Sequence, residues 1–238
     1  MVNFNENLYV GTYSFRETKQ LRSLTTLSDV PTSKQISGIE VRLSKVHIID
    51  NKTTRVGPFP GLAKVYMVNI ITSDILGSEI DLSLEGFEKV DDNQTLAVDR
   101  TLFYWKKTKE TAKAPSQIHI FSSLIKSKKS LRDTAKILSE AKDNEKIKSL
   151  TKGLGELVKN ASKFNALTSV LVEVASVVGD LLGNVEDKPM LSRFQSFTDV
   201  GGNFNQLGKT DLPFANMYAN LDYSIFIRDK KRQEEVEG

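Results

Sequence analysis

Side chains able to do chemistry near neutral pH are few in this chain. It has no cysteine and two histidines, His47 and His119, so disulfides and thiolate metal sites are excluded. Both histidines fall in segments whose alternating pattern predicts β-strands, and we expect each to be a strand residue with a hydrogen-bonded ring. No nucleophile turn or paired metal-ligand spacing accompanies them. The sequence therefore predicts no catalytic, cofactor or metal site, and favours a protein that is not an enzyme.

Two oxygen-rich segments are the remaining candidates for an ion. Asp91, Asp92 and Asn93 form one, and residues 199–203 form the other. They could supply calcium ligands if they met at one end of a β-sandwich. Alternate aspartates are absent from both, so we interpret them as plain turns.

Positive charge is concentrated in the middle of the chain. Residues 106–163 carry fifteen Lys and Arg against six Asp and Glu, a net charge of +9, while the whole chain carries +3. Such a segment is either a solvated helix face, which we favour, or a surface for an anionic partner. Lysine dominates and stacking aromatics are sparse, so nucleic-acid binding is not expected. The anionic-surface hypothesis assigns binding to Lys126, Lys128, Lys129, Arg132 and Lys136.

The longest periodic pattern covers residues 143–182. Apolar residues recur there every three or four positions, which predicts helix with one stripe to bury. Two glycines and the segment 160–165 predict a break into two helices, with Asp143 or Asn144 as the first N-cap. An earlier amphipathic helix is expected over residues 128–142. If a partner covers the apolar seam, the contact residues are Leu150, Leu154, Leu157, Phe164, Leu171 and Val178.

Period-two patterns flank these helices on both sides. Alternation begins at Ile39, slips near Ser44 and Lys45, which indicates a bulge, and then resumes. Residues 63–71 are apolar on both faces, as in a central, covered strand. Further strands are expected around residues 80–84, 96–98, 102–104, 118–120, 190–198 and 221–227.

These patterns predict a mainly β fold with an α insertion. We expect an antiparallel β-sandwich carrying an inserted helical hairpin at about residues 128–183, because strands both precede and follow the helices. The sandwich domain should cover residues 38–228. An N-terminal arm, residues 1–37 with a short strand at 8–10, precedes it, and a charged tail, residues 229–238, follows.

Two functions fit this architecture. The first is a non-enzymatic interaction or assembly module whose inserted helices dock a protein partner or like subunits. Packing of residues 145–183 wholly onto the chain's own sheet would count against it. The second is a peripheral membrane-binding or membrane-active effector that uses the Lys-rich segment and the apolar helix 166–183.

The expected location follows from residue usage. Absence of cysteine favours a reducing compartment, and MVNFNENLYV lacks a basic leader followed by an apolar run. We expect a cytoplasmic protein, or one exported without a conventional signal peptide.

Overall fold

The computed structural model describes residues 8–12, 36–54, 56–58, 61–76, 79–109, 113–127, 133–159, 164–181, 188–199 and 202–229. Over these ranges the chain is mainly β, with ten strands in two sheets and three helices. The strands are β1 (Leu8–Thr12), β2 (Ile36–Ile48), β3 (Ala63–Ser73), β4 (Asp81–Val90), β5 (Gln94–Leu96), β6 (Arg100–Lys106), β7 (Gln117–Ser127), β8 (Lys188–Thr198), β9 (Gly208–Ala215) and β10 (Ala219–Asp229). The helices are α1 (Thr134–Asp143), α2 (Glu145–Lys159) and α3 (Phe164–Leu181).

The strands form two sheets. Sheet A has the order β1-β8-β7-β3-β4. In sheet B, β5 and β6 both pair with β2, which is followed by β10 and β9. The predicted antiparallel pairing is confirmed for these strands except for β1, which runs parallel to β8. All three helices fall between β7 and β8 in sequence, and those two strands pair directly.

Two hydrophobic clusters divide the apolar residues. One joins the facing sides of the two sheets, with Val41 and Ile225 from sheet B and Met67 from sheet A. The other joins the opposite face of sheet A to the helices, through residues such as Phe121 and Val174. β3 contributes alternate residues to both, as its doubly apolar pattern predicted.

Most strand predictions are confirmed in position. The register of β2 against β10 shifts so that Lys45 pairs with Asp222 and Leu43 with Tyr223. This leaves Ser44 as the extra residue of the expected bulge. β9 was not predicted, because Pro213 and charged residues interrupt its pattern. Pro213 is tolerated because β9 is an edge strand.

The helical segment is divided where the cap residues predicted, but Gly153 and Gly155 lie inside α2 and do not interrupt it. Asp133 accepts hydrogen bonds from the first turn of α1, and Asn144 Oδ1 accepts from the backbone N–H of Lys146 at 2.9 Å. Asn144 is therefore the N-cap of α2. α2 ends at residue 159 and α3 begins at residue 164, so the expected break is confirmed. No helix within the described ranges is long and apolar enough to span a membrane.

Candidate functional site

A row of polar side chains crosses sheet A on the face that packs against sheet B. The register aligns one residue from each of the five strands: Tyr9, Arg193, Ser122, Asn69 and Ser83. Ser122 Oγ donates to Asn69 Oδ1 at 2.7 Å, and Asn69 Nδ2 lies 3.3 Å from Ser83 Oγ. These three side chains are buried. The row therefore places a hydrogen-bonded polar strip inside a hydrophobic core.

Tyr223 joins this strip from sheet B. Its side chain is buried, and its hydroxyl hydrogen-bonds with Ser122. Burial raises the pKa of Tyr223 to about 12, against the opposing effects of Ser122 and of the nearby Arg193. The phenol therefore stays neutral at pH 7 and does not act as a counter-charge for the arginine.

Arg193 is the one charged member of the row. Its Nη2 donates to Gln195 Oε1 at 2.6 Å, and its guanidinium carbon lies 4.1 Å from the centre of the Phe214 ring. Its Nε is buried without a hydrogen-bond partner. Burial lowers the pKa of Arg193, but a guanidinium keeps its proton at neutral pH. Among the described residues, no carboxylate forms an ion pair with it.

β1 covers the edge of the sheet beside Arg193. Leu8 packs on the helix-side cluster, while the Tyr9 ring lies 5.1 Å from that of Phe214 on the other face. Tyr9 is 40% exposed, so the strip reaches solvent at this edge. The exposed end of the strip lies between β1 and β9, which Tyr9 and Phe214 bring together.

A contrasting charged cluster lies on the outer face of sheet B. Glu40 Oε2 accepts from Arg228 at 2.7 Å, and its Oε1 accepts from Arg42 at 2.9 Å and from Thr101 at 2.9 Å. Both guanidinium groups also lie near the Phe226 ring. Burial raises the pKa of Glu40, but the hydrogen bonds from its partners outweigh that effect and hold it below its ordinary value. Every charge here has an opposite neighbour.

His119 lies on the helix-side face of sheet A. Its Nδ1 is 2.8 Å from Ser196 Oγ and its Nε2 is 3.1 Å from Gln117 Oε1. Burial lowers the pKa of His119 to about 4, although Asp74 raises it. The expected strand position and hydrogen-bonded ring are confirmed. The serine and histidine have the spacing of a nucleophile and its base, but both are buried.

The loop between β2 and β3 is held by a buried asparagine. Asn51 Nδ2 donates to the carbonyl oxygens of Gly61 at 2.6 Å and Val90 at 2.8 Å, while its Oδ1 accepts from the N–H of Thr53. A Cβ at Gly61 would lie 2.3 Å from the Thr53 carbonyl oxygen. Glycine is therefore required where the loop closes on itself.

Apolar side chains are exposed at this end of the molecule. The first two N–H groups after β2 donate to the carbonyl oxygen of Tyr218, which places the loop beside the turn between β9 and β10. Val56 and Leu62 on the loop and Met217 on the turn are exposed, the first and last by more than 70%. Lys52 Nζ lies 3.6 Å from the centre of the Tyr218 ring. We call residues 49–62 and 216–218 the loop end.

The residues of the predicted helical seam are mostly covered by the chain itself. Leu171 and Val178 are buried against sheet A, and Leu150 and Leu157 pack partly buried on the same cluster. The side chains of Leu154 and Phe164 lie outside the described part of the structure. A partner could reach Leu171 or Val178 only by displacing α3.

The predicted basic residues are dispersed in the described regions. Lys126 Nζ donates to the carbonyl oxygen of Lys52 at 2.5 Å and to Thr53 Oγ1 at 2.7 Å. Lys136 is exposed on α1, 4.0 Å from Glu140. Lys128, Lys129 and Arg132 lie outside the described residues.

The two oxygen-rich loops do not meet. β4 ends opposite Ala63 at the start of β3, whereas β8 ends level with Ser73 at the end of β3. Residues 91–93 and the described residues 199, 202 and 203 therefore lie at opposite ends of sheet A, so these residues do not share a calcium site. Their side-chain oxygens accept backbone N–H groups, for example Asn51 to Asp92, as the interpretation as plain turns predicted.

Comparisons with known proteins give no match: no family model fits the sequence, and no curated protein or solved structure is significantly similar. Any function must therefore be argued from the site itself.

Sequence reasoning missed the polar row, although a signal was present. In β3, the side that carries Val65 and Met67 continues with Asn69, and in β8 Arg193 lies on the side that carries the apolar Leu191 and Phe197. A polar residue at an inward position of a strand is the informative exception. The alignment of five such positions depends on register, which the sequence does not show.

Proposed function

We propose that this protein is a non-enzymatic assembly module, a β-sandwich with a helical insertion, that joins copies of itself by adding β1 to sheet A of a neighbouring copy. The observation that carries the proposal is the position of β1. It is the terminal strand of sheet A, it pairs with β8 alone among the described strands, and residues 13–35 separate it from β2.

The edge of β8 that β1 pairs with requires a neighbouring strand, either from the same chain or from another copy. Without β1, the polar backbone groups of a long strand, Lys188–Thr198, would face solvent and act as a template for another chain. β1 contributes to both faces of the sheet, with Leu8 on one and Tyr9 on the other. An equivalent strand from a second copy would make the same contacts, so exchange changes the connection and leaves the local packing unchanged.

The connection is long enough for either arrangement. Fully extended, residues 13–35 span up to about 80 Å, so they can reach β8 of the same chain or of a neighbour. A reciprocal exchange between two copies closes as a symmetric dimer. Pairing of β1 with β8 of its own chain is favoured because the linker keeps the two strands at a high effective concentration. Pairing with β8 of another copy is favoured at high protein concentration.

The helical layer is a weaker candidate for docking. The inner residues of α3 already pack on sheet A, and its exposed positions include charged Glu173 and Asp180. Interfaces are depleted of such charged residues at their centre. Assembly through the sheet edge needs no rearrangement of the helices.

Cross-linking between single-cysteine chains tests the exchange without background, because the protein has no cysteine. Leu8 and Ser192 are register partners. Differently tagged Leu8→Cys and Ser192→Cys chains are co-expressed and oxidised. We expect a covalent heterodimer on a denaturing gel and a dimer in light scattering before oxidation.

The matched control replaces Ser192→Cys with Thr198→Cys, which lies on the same strand about 20 Å further along. This pair should give little heterodimer. The proposal is wrong if Leu8→Cys and Ser192→Cys cross-link only when both are in one chain, and the protein is monomeric at all concentrations.

A second candidate, peripheral membrane binding, is favoured by the loop end. Val56, Leu62 and Met217 expose apolar side chains beside Lys52, a combination that suits the interface of an anionic bilayer. Flotation with anionic vesicles should then be weakened by Met217→Asp and unaffected by Tyr104→Asp, which changes an exposed residue of sheet B. Absence of salt-sensitive flotation of the unmodified protein would remove this candidate.

A further inference from the structure

We propose that Arg193 binds an oxyanion, a carboxylate or a phosphate group, between the two sheets at the edge formed by β1, β8 and β9. The inference rests on the contacts of one side chain and not on exchange of β1. The cross-linking result therefore does not decide it.

Arg193 has no counter-charge among the described residues. Arg193 makes one hydrogen bond, to the neutral amide of Gln195, and its Nε is buried with no acceptor. Leaving a half-buried charge and its buried N–H group without an acceptor costs free energy. A bound anion removes that cost.

Two contacts hold the guanidinium of Arg193 in one orientation. The Phe214 ring lies 4.1 Å below the guanidinium carbon and Gln195 holds Nη2, so the plane of the group is fixed. A fixed guanidinium presents parallel N–H groups that match the two oxygens of a carboxylate or phosphate. The guanidinium is thus already oriented before any ligand arrives.

Arg193 lies close enough to solvent for a small anion to reach it. Arg193 is half-buried and its register neighbour Tyr9 is 40% exposed. A small anion can therefore approach from the edge of the sheets. Tyr223 closes the inner side of the strip with a hydroxyl that hydrogen-bonds to Ser122, which limits how deep a ligand can enter.

The test is a titration of the full chain with inorganic phosphate and, separately, with acetate, at constant ionic strength set by chloride. The Nε–H resonance of Arg193, assigned in the unmodified protein through its through-bond correlation to the backbone of residue 193, is followed by NMR. We expect a saturable shift of this resonance with at least one of the two anions. A response to phosphate alone indicates a phosphate ligand, and a response to acetate alone indicates a carboxylate.

Two variants separate a specific site from general charge effects. Because Arg193→Gln has no Nε–H group, its titration is followed through the backbone N–H resonance of residue 193, which is measured in both proteins. This variant should bind at least about tenfold more weakly, because the charge-assisted pair is lost. Arg228→Gln removes an arginine that already has Glu40 as its partner and should leave the affinity unchanged. No saturable shift with either anion, or equal affinity in unmodified protein and Arg193→Gln, would overturn the proposal. The NMR readout on unmodified protein decides it even if a variant fails to fold.

Discussion

Two of the described arginine sites place a positive charge in very different surroundings. On the outer face of sheet B, Arg228 and Arg42 share the carboxylate of Glu40, which is 6% exposed. Between the sheets, Arg193 has a neutral amide and an aromatic ring. The first site is complete within the chain, and the second is complete only with something added. This difference favours a structural role for the Glu40 cluster and the proposed oxyanion-binding role for Arg193.

His119 sharpens this comparison because, unlike arginine, it can lose its charge. Burial lowers its pKa from 6.5 to about 4, so the neutral ring is favoured in the folded state. The contribution of the neutral ring to the free energy of unfolding is fully present above pH 6.5. It is lost as the pH falls toward 4, and the loss amounts to about 3 kcal/mol. Urea unfolding of His119→Gln should show a correspondingly smaller acid-dependent loss of stability.

The control for this prediction is His47→Gln. His47 lies on β2, half-buried, with its Nδ1 3.1 Å from Thr95 Oγ1. This variant should keep the acid-dependent loss that His119 causes. Identical pH profiles for the unmodified protein and His119→Gln would contradict the assignment.

The cluster on the outer face of sheet B should lose stability when the carboxylate of Glu40 is removed. Glu40→Gln leaves two arginines without their carboxylate and should cost about 2 kcal/mol at pH 7. Since the pKa of Glu40 is lowered in the fold, its stabilisation is present above the ordinary carboxyl pKa and disappears as the pH falls through the folded value. Denaturant midpoints measured from pH 7 to pH 3 should converge for the two proteins. A constant difference would count against the ion pairs.

The smallest expected effect is that replacing the arginine by methionine changes the free energy of unfolding in opposite directions at the two sites. In buffer without oxyanions, Arg193→Met should be neutral or stabilise by about 1 kcal/mol, because it removes an unpaired buried charge. Arg228→Met should destabilise by about 1 kcal/mol. Thermal unfolding of both variants checks the comparison, and equal destabilisation would show that Arg193 is already paired in the native protein.

Local patterns were enough to predict much of the fold. The slip in alternation at Ser44 identified the bulge in β2, and the polar residue before Glu145 identified the cap of α2. Both features depend on residues close in sequence. The apolar seam of α3 was also recognised, but its partner proved to be sheet A of the same chain, because periodicity shows that a face is buried and not what buries it.

The candidate site could not be predicted for a related reason. Tyr9, Arg193 and Ser122 are neighbours only because strands distant in sequence are aligned in one register. The parallel pairing of β1 has no local signature either, since its strand pattern is compatible with either direction. The residues of this polar row are identified only when the strand register is known.

The position of β1 also affects how the protein is made. It is synthesised long before β8, so it has no complementary strand until the sheet-forming region beyond the helices has been translated. Contacts between such distant segments form late and slowly. On a polysome carrying several nascent chains, a waiting β1 would meet the finished β8 of an adjacent chain as well as its own. If copies exchange β1 as proposed, dimer yield should then depend on expression rate as well as on final concentration.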